Sequence, residues 1–341
     1  MESVTFLIIN RNNKDTINRC LAAIERVKYP KKEIVLVDDS STDGSLESLV
    51  SKPNKILVNT PQRGIAHSRN VGMDHSTGSL VFIIDSDIEL VRINLTKIIK
   101  LFRTHPKLVG LSGQYYSKEK NNLNKVLDLR RKYIYRKGNK SFIYNLSKNY
   151  TTFSGGFCVI NKCLIRDHKQ IGLKDIAGED LLFQLTFLNK GYEFGYISDM
   201  IGIHYHRRGY SGLINKAKSE AKGHIWLLKN CIDKKLTLPV LESLFTAPIF
   251  LLSGLLARSP LVISFEFIPY IILIAKTRRT DAVRLLCYET LVSVYKLYFY
   301  FTRLIISKEL SFTIKLQIMG TMAKESILGK LQVLQSILLN K

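Results

Sequence analysis

The sequence has few cysteines and gives no sign of a disulfide framework. Its five cysteines include no Cys-x-x-Cys pair. An odd number of cysteines without such a framework indicates reduced thiols, and therefore a catalytic face in the cytosol. A positively charged start followed by an apolar segment is also absent, since the first apolar run, Val4 to Ile9, is short and follows Glu2. We therefore expect no secretory signal.

Acidic residues are scarce relative to basic ones. The chain has 51 Lys and Arg against 28 Asp and Glu, a net charge of +23. Residues 101–150 hold 12 basic residues against two acids, and residues 203–235 hold eight against two. Such concentration predicts a polyanionic partner, although any single lysine can simply be solvated. Basic residues are interleaved with aromatic residues over residues 130–137, a pattern that suits binding to a nucleic acid, a lipid diphosphate or an anionic bilayer.

One short apolar run, Leu80 to Ile84, ends in two carboxylates, Asp85 and Asp87. Five apolar residues between polar ones predict a strand buried on both faces. Side chains two residues apart on an extended chain point the same way, so both carboxylates can address one divalent cation. The end of such a strand is where open α/β sheets bind ligands.

The segments before this run alternate between strand and helix patterns. We predict strands over 4–9, 33–37 and 55–58, the last at an edge, and helices around Ile17 and Leu21, over 66–73, and through Leu46 and Leu49. Strands alternating with helices over about 90 residues favour a parallel α/β sheet.

A second acidic pair, Glu179 and Asp180, follows Gly178 at the predicted start of a helix. Acids in a first turn often do no more than stabilise the helix. The preceding glycine and the acidic site that this turn would face favour a catalytic role. A carboxylate that removes a proton from an attacking hydroxyl contributes about 10²–10⁴-fold to the rate. Asp180 is the candidate base, and Glu179 the candidate binder of the acceptor or orienting partner.

The chain carries five motifs in a fixed order: Val37 to Gly44, Arg63 to Gly72, Ile84 to Asp87, Gly155 to Phe157 and Gly178 to Asp180. Together these motifs resemble those of family 2 glycosyltransferases with the GT-A fold, over about residues 3–205. The resemblance implies a mixed, mostly parallel sheet with flanking helices, a nucleotide-diphosphate sugar donor, a divalent cation (Mn or Mg) and inversion at the anomeric carbon.

The resemblance also implies roles for single residues. Asp39 would accept a hydrogen bond from the base, Arg69 and Asn70 would lie near the nucleotide, Asp85 would lie near the ribose and metal, and Asp87 would ligate the metal. A histidine after the catalytic helix, either His204 or His206, would be a third metal ligand.

Residues 1–210 are expected to form the catalytic domain and 211–240 a basic amphipathic helix or linker. The preceding Arg207 could neutralise the leaving diphosphate or grip a lipid diphosphate. Residues 241–341 carry three apolar runs, each interrupted, at 244–257, 261–275 and 285–306. We predict a helical membrane-associating region, with a hairpin in the first two runs and a helix in the headgroup plane in the third.

The predicted activity is transfer of a sugar to a hydroxyl of a lipid-linked, polyprenyl-type saccharide at the cytoplasmic face of the cell membrane. A phosphate acceptor would need no base, whereas a hydroxyl does. The alternatives are a processive polysaccharide synthase, whose Gln-x-x-Arg-Trp motif is missing here, and a catalytically dead basic protein that binds membranes or nucleic acid. The four acids Asp39, Asp85, Asp87 and Asp180 count against a dead enzyme, and nucleic acid is not expected as a partner.

Overall fold

The computed structural model describes residues 2–118, 124, 128, 131, 140–145, 153–166, 169, 178–205, 219 and 223. The chain divides into two compact units. The first comprises residues 1–119, 137–175 and 179–206, and the second comprises 120–136, 176–178 and 207–341. Every strand and helix below lies in the first unit. The boundary expected at residue 210 falls outside the described residues and stays a prediction.

Four parallel strands form the first half of a mixed sheet, in the order β3-β2-β1-β4. Because strands β1 and β4 are buried along nearly their whole length, their apolar runs are continuous rather than alternating. The elements are β1 (Val4–Asn10), α1 (Lys14–Glu25), β2 (Lys32–Asp38), β3 (Lys55–Val58), α2 (Ile65–His75) and β4 (Leu80–Asp85).

The second half extends the sheet beyond β4. Strand β8 runs antiparallel to both β4 and β6, and β9 runs parallel to β6 and antiparallel to β5 and β7. The full order is β3-β2-β1-β4-β8-β6-β9-β5, with β7 paired to β9. The elements are β5 (Ile88–Arg92), α3 (Leu95–Thr104), β6 (Leu108–Ser117), β7 (Phe142–Tyr144), β8 (Phe157–Asn161), a 3₁₀ turn (Lys162–Ile165), α4 (Glu179–Leu188) and β9 (Glu193–His204).

Helices cover both faces of the sheet. Apolar residues of α1 and α3 form one buried cluster with the side chains of β1 that face them. Residues of α2 and α4 form a second cluster on the opposite face, which includes Met73, Phe183 and Phe187. The predicted mixed α/β sheet with flanking helices is therefore confirmed.

Every strand predicted before Asp85 is confirmed, but the helix predicted through Leu46 and Leu49 is wrong. The structure has a turn over 45–48 instead. The side chain of Asn18 on α1 donates to Ser48 O (2.7 Å) and accepts from Val50 N (3.0 Å). Because these backbone groups bond to α1, they do not extend a helix of their own.

The membrane-associating region predicted for 241–341 and the linker of 211–240 lie outside the described residues, apart from single positions in the linker. Within the part of the chain that the structure describes, no helix combines the length and apolar character needed to cross a bilayer.

Candidate active site

The two acidic segments of the N-terminal half flank the end of strand β1. Asp39 N donates to Asn10 O at 2.9 Å, and Ser86 N donates to Ile9 O at 3.0 Å. The segments that follow β2 and β4 are therefore attached to consecutive carbonyls of the same strand. This places both acidic motifs at the carboxyl edge of the sheet, where the sequence predicts the site.

The first carboxylate of the Asp38-Asp39 pair is structural. Asp38 is fully buried and accepts from Asn10 Nδ2 (2.6 Å), Ser41 N (2.8 Å) and Ser41 Oγ (2.6 Å). It thereby ties the end of β1 to the turn that follows β2.

The second carboxylate, Asp39, binds the backbone just before helix α2. Its Oδ1 accepts from Arg63 N and Asn59 Nδ2, and its Oδ2 accepts from Gly64 N, each at 2.9 Å. Burial acts to raise the pKa of Asp39, but these hydrogen bonds outweigh it and lower the pKa below its ordinary value. Gly64, at a φ of 94°, adopts a backbone conformation that favours glycine. The predicted contact with a nucleotide base stays a prediction.

Arg69 on α2 forms a buried ion pair. Its side chain is 3% exposed, and its Nη1 donates to Glu179 Oε1 at 2.9 Å. Its Nη2 lies 3.9 Å from Asp85 Oδ1. Burial acts to lower the pKa of Arg69, but Glu179, Asp85 and Asp180 raise it overall. The guanidinium is therefore a permanent cation that joins α2, α4 and the end of β4. Asn70, the next residue, is half-buried on the same helix.

Two glycines fill the space between these acids. Gly156 O accepts from Asp85 N at 2.8 Å, and a Cβ added to Gly156 would lie 2.1 Å from Asp85 Oδ2. A Cβ added to Gly155 would lie 2.7 Å from Arg69 Nη1 and 3.0 Å from Asp180 Cβ. No larger residue fits at either position without displacing a site side chain. The backbone at these two glycines therefore lies close to the protein's own acids and arginine.

Asp180 lies at the start of α4 beside these glycines. Its Oδ1 accepts from Leu181 N at 2.8 Å, and its Oδ2 from Gly155 N at 3.3 Å. Burial raises the pKa of Asp180 to about 6, and the neighbouring Glu179 acts in the same direction, whereas Arg69 and the two amides oppose them. A carboxylate with a pKa near 6 suits general base catalysis at neutral pH.

Asp85 is the second carboxyl with a raised pKa. Burial raises it to about 7; Arg69 opposes the rise, and the charges of Asp87, Glu179 and Asp180 reinforce it. Since Asp85 interacts with both Asp87 and Asp180, the metal motif and the candidate base belong to one site. The predicted convergence of these acids is therefore present in the structure.

His204 ends strand β9 next to Asp87. Its Nε2 lies 3.1 Å from Asp87 Oδ2, and its ring packs edge-on against Tyr115 at 5.2 Å. Tyr205 N also donates to Asp87 O at 2.9 Å. The other two predicted residues of this region, His206 and Arg207, lie outside the described residues.

The side chains near Asp85 and Asp87 offer ligand atoms that suit a hard divalent cation. Asp85 and Asp87 supply carboxylate oxygens, and His204 supplies an imidazole, which suits Mn better than Mg. Oδ1 of Asp85 is buried and accepts no hydrogen bond from a described residue. Among the described residues, however, no group of three His, Cys, Asp or Glu side chains is arranged to hold a metal ion. The residue types fit a cation, and the ligand set stays a prediction.

Sequence reasoning missed the ion pair between Arg69 and Glu179. These residues are 110 positions apart, and neither sequence pattern nor spacing signals that they meet. The burial of Glu179, which is 8% exposed, favours its role as orienting partner over that of acceptor ligand.

Comparisons with known sequences find similarity in the N-terminal part of the chain. The family model described as glycosyl transferase family 2 matches residues 5–168. The poly-beta-1,6-N-acetyl-D-glucosamine synthase of Staphylococcus aureus (strain MSSA476) is 28% identical over 203 residues, which is 58% of this chain and 48% of the relative. The corresponding synthase of Staphylococcus epidermidis is 26% identical over 172 residues, 49% of this chain and 41% of the relative. The chain thus spans about half the length of the curated relatives that it matches.

Solved structures share the fold at low sequence identity. A mannosyltransferase from Pyrobaculum calidifontis, in complex with GDP-Man and Mn²⁺, superposes with a TM-score of 0.51 at 19% identity, covering 96% of this chain and 87% of that one. S. aureus TarS 1-349 in complex with UDP gives a TM-score of 0.53 at 14% identity, covering 95% and 90%. At these identities the likeness shows the GT-A fold alone.

Proposed function

We propose, because residues 5–168 match the glycosyl transferase family 2 model, that the protein is an inverting, metal-dependent glycosyltransferase. It transfers a sugar from a nucleotide-diphosphate donor to a hydroxyl group of a lipid-linked saccharide. The observation that carries this proposal is Asp180, a carboxyl with a pKa of about 6 beside the acids at the end of β4.

The chemistry follows from the placement of Asp180. Its carboxylate accepts the proton of the acceptor hydroxyl, the hydroxyl oxygen bonds to the anomeric carbon, and the bond from that carbon to the diphosphate oxygen breaks. A single displacement inverts the anomeric centre, and the nucleoside diphosphate leaves with the bonding electrons. Glu179 does not take the proton, because its Oε1 is engaged by Arg69. It holds the first turn of α4 in place.

Asp85, Asp87 and His204 would hold the cation. Such an ion supplies positive charge that stabilises the departing diphosphate. The chain's own contribution is to orient these ligands. Asp85 is fixed through its backbone by Gly156 and through its side chain by Arg69, and Asp87 is held beside His204.

A lipid-linked acceptor at the cytoplasmic face of the membrane is supported by charge. The excess of basic residues in 101–150 and 203–235 matches a lipid diphosphate and an anionic bilayer surface. Most of these residues lie outside the described part of the chain, so the support comes from the sequence.

The names of the sequence relatives favour a second candidate, a polysaccharide synthase. The curated relatives in S. aureus and S. epidermidis are named as synthases of a poly-N-acetylglucosamine. Both candidates use the same donor site and base, and they differ in whether the product remains bound for a further transfer.

Radiolabelled donors separate the candidates. We would incubate the full chain and Mn²⁺ with UDP-N-acetylglucosamine or GDP-mannose, with and without a bacterial membrane lipid extract. A lipid-soluble product that requires the extract supports transfer to a lipid-linked saccharide, and an insoluble polymer supports the synthase. The matched control is Asp180→Asn. If neither donor is consumed above the level of this control, and neither raises the melting temperature, the transferase proposal fails.

A further inference from the structure

Gln184 lies one turn after Asp180 on α4 and is fully buried. Both ends of its amide are engaged: Oε1 accepts from Phe153 N at 3.0 Å, and Nε2 donates to Tyr144 Oη at 3.0 Å. A polar amide in an apolar cluster costs free energy unless its hydrogen bonds are made. The surroundings are aromatic, since Phe153, Phe183, Phe187 and Phe194 contact one another there.

The contact with Phe153 lies two residues before the amide that holds Asp180. Gly155 N donates to Asp180 Oδ2, and Phe153 N donates to Gln184 Oε1. Two residues of chain span at most about 7 Å, and four residues of helix advance about 6 Å, so the spacings match. The two side chains of α4 therefore hold alternate amides of the segment 153–156.

The other end of this segment is tied to the donor side. Gly156 O accepts from Asp85 N at 2.8 Å. The segment 153–156 thus connects α4 to the end of β4, and Gln184 fixes the end that lies farther from Asp85. The 3.3 Å hydrogen bond from Gly155 N to Asp180 Oδ2 is the second side-chain contact that joins the segment to α4.

We infer that Gln184 is a positioning residue, which acts through the segment 153–156 to hold the Gly155 amide against Asp180 and so to aim the catalytic base. This inference rests on the proposed role of Asp180 as the base. The groups that face Asp180 are Glu179 on its own helix, Arg69 on α2 and Asp85 on β4.

Three variants separate positioning from simple stability. Gln184→Met keeps the volume and removes both hydrogen bonds. Tyr144→Phe removes the acceptor of Gln184 Nε2, and Gln184→Glu keeps an acceptor for Phe153 N. We expect Gln184→Met to lower kcat by about tenfold to 100-fold, the cost of a small misplacement of a reacting group. The donor KM should change by less than about threefold, because the donor ligands are untouched.

Two control variants, Tyr144→Phe and Gln184→Glu, test the hydrogen bonds of Gln184 one at a time. Tyr144→Phe should lower the melting temperature, as Gln184→Met does, yet keep kcat within about threefold. Gln184→Glu should restore most of the kcat that Gln184→Met loses. A Gln184→Met enzyme with wild-type kcat, or equal losses in the Tyr144→Phe and Gln184→Met variants, would overturn the inference.

Amide hydrogen exchange provides a test that needs no substrate. The peptide covering residues 153–156 should exchange faster in Gln184→Met than in Tyr144→Phe, and unchanged exchange would count against the inference. Failure of the proposed function has a different signature: the wild type would then consume neither donor above the level of Asp180→Asn, whatever the exchange of this peptide.

Discussion

Replacing Asp180 with asparagine is the most direct test of the site. Asparagine is nearly isosteric with aspartate, but its amide cannot accept a proton from a hydroxyl at neutral pH. General base catalysis typically contributes about 10²–10⁴-fold. We therefore expect kcat to fall by at least about 100-fold, while the donor KM stays close to that of the wild type. In the proposed arrangement Asp180 contacts the acceptor hydroxyl and does not bind the nucleotide sugar.

The pH dependence gives a second and independent expectation. A base acts in its ionised form, so its contribution is present above its pKa and lost as the pH falls through it. With the pKa of Asp180 raised to about 6, the wild-type rate at pH 5 should be about a tenth of the rate at pH 8. An ordinary aspartate, with a pKa near 3.9, would leave the rate almost constant over this range.

The assay is nucleoside diphosphate release at saturating Mn²⁺ and donor, measured from pH 5 to pH 8. Stability at each pH is checked by intrinsic fluorescence, so that unfolding is not mistaken for titration. An Asp180→Asn enzyme with more than a tenth of wild-type turnover would refute the assignment of the base. A wild-type profile that stays flat down to pH 5 would refute the raised pKa.

Three further changes test the surroundings of the site. Arg69→Met should destabilise the fold by about 3–5 kcal/mol in a urea titration, because it leaves buried Glu179 without its cation. Gly156→Ala should cost about 2 kcal/mol or more and reduce turnover, since its Cβ would lie 2.1 Å from the Asp85 carboxylate. Burial would raise the pKa of Glu33, but bonds from its partners lower it to about 2. The wild type should therefore lose about 1–2 kcal/mol more stability than Glu33→Gln between pH 5 and pH 2.5.

Each of these changes has a matched control. Arg103→Met removes an exposed ion pair with Glu2 and should cost less than about 1 kcal/mol. Gly191→Ala meets no atom within 4 Å, so it should cost only the strain of its left-handed backbone, about 1 kcal/mol. The exposed Glu47→Gln should leave the acid limb of the stability profile in place. If a control variant loses as much stability as its test variant, the cause given for the test variant is wrong.

The N-terminal sheet could be predicted because its strands are buried on both faces. Continuous apolar runs such as Leu80 to Ile84 identify the strands, and the acids that follow identify the edge. The helix predicted at Leu46 failed because apolar spacing does not reveal that Asn18, on another helix, binds the backbone of this segment. Such tertiary hydrogen bonds leave no periodic signal in the sequence.

The sequence predicted which residues belong to the site more readily than which of them contact one another. Asp85, Asp180 and the two glycines were identified by motif, yet the motif does not show that Gly156 is needed because Asp85 lies against it. The family resemblance implied that Arg69 lies near the nucleotide, whereas its nearest acid is Glu179. Long-range pairings depend on how helices α2 and α4 pack on one face of the sheet.

The site brings several negative charges together. These charges serve the proposed reaction but lower the stability of the fold. Asp85, Asp87, Glu179 and Asp180 raise one another's energy, and Arg69 lies among them, 2.9 Å from Glu179 and 3.9 Å from Asp85. A carboxyl whose pKa is raised in the folded state costs stability above that pKa. Asp180 therefore destabilises the fold at pH 8, and Asp180→Asn should remain folded with a melting temperature at least close to that of the wild type. The aromatic packing of α4 against β9, through Phe183 and Phe194, offsets the repulsion. Loss of turnover in Asp180→Asn can then be attributed to the missing base rather than to a damaged fold.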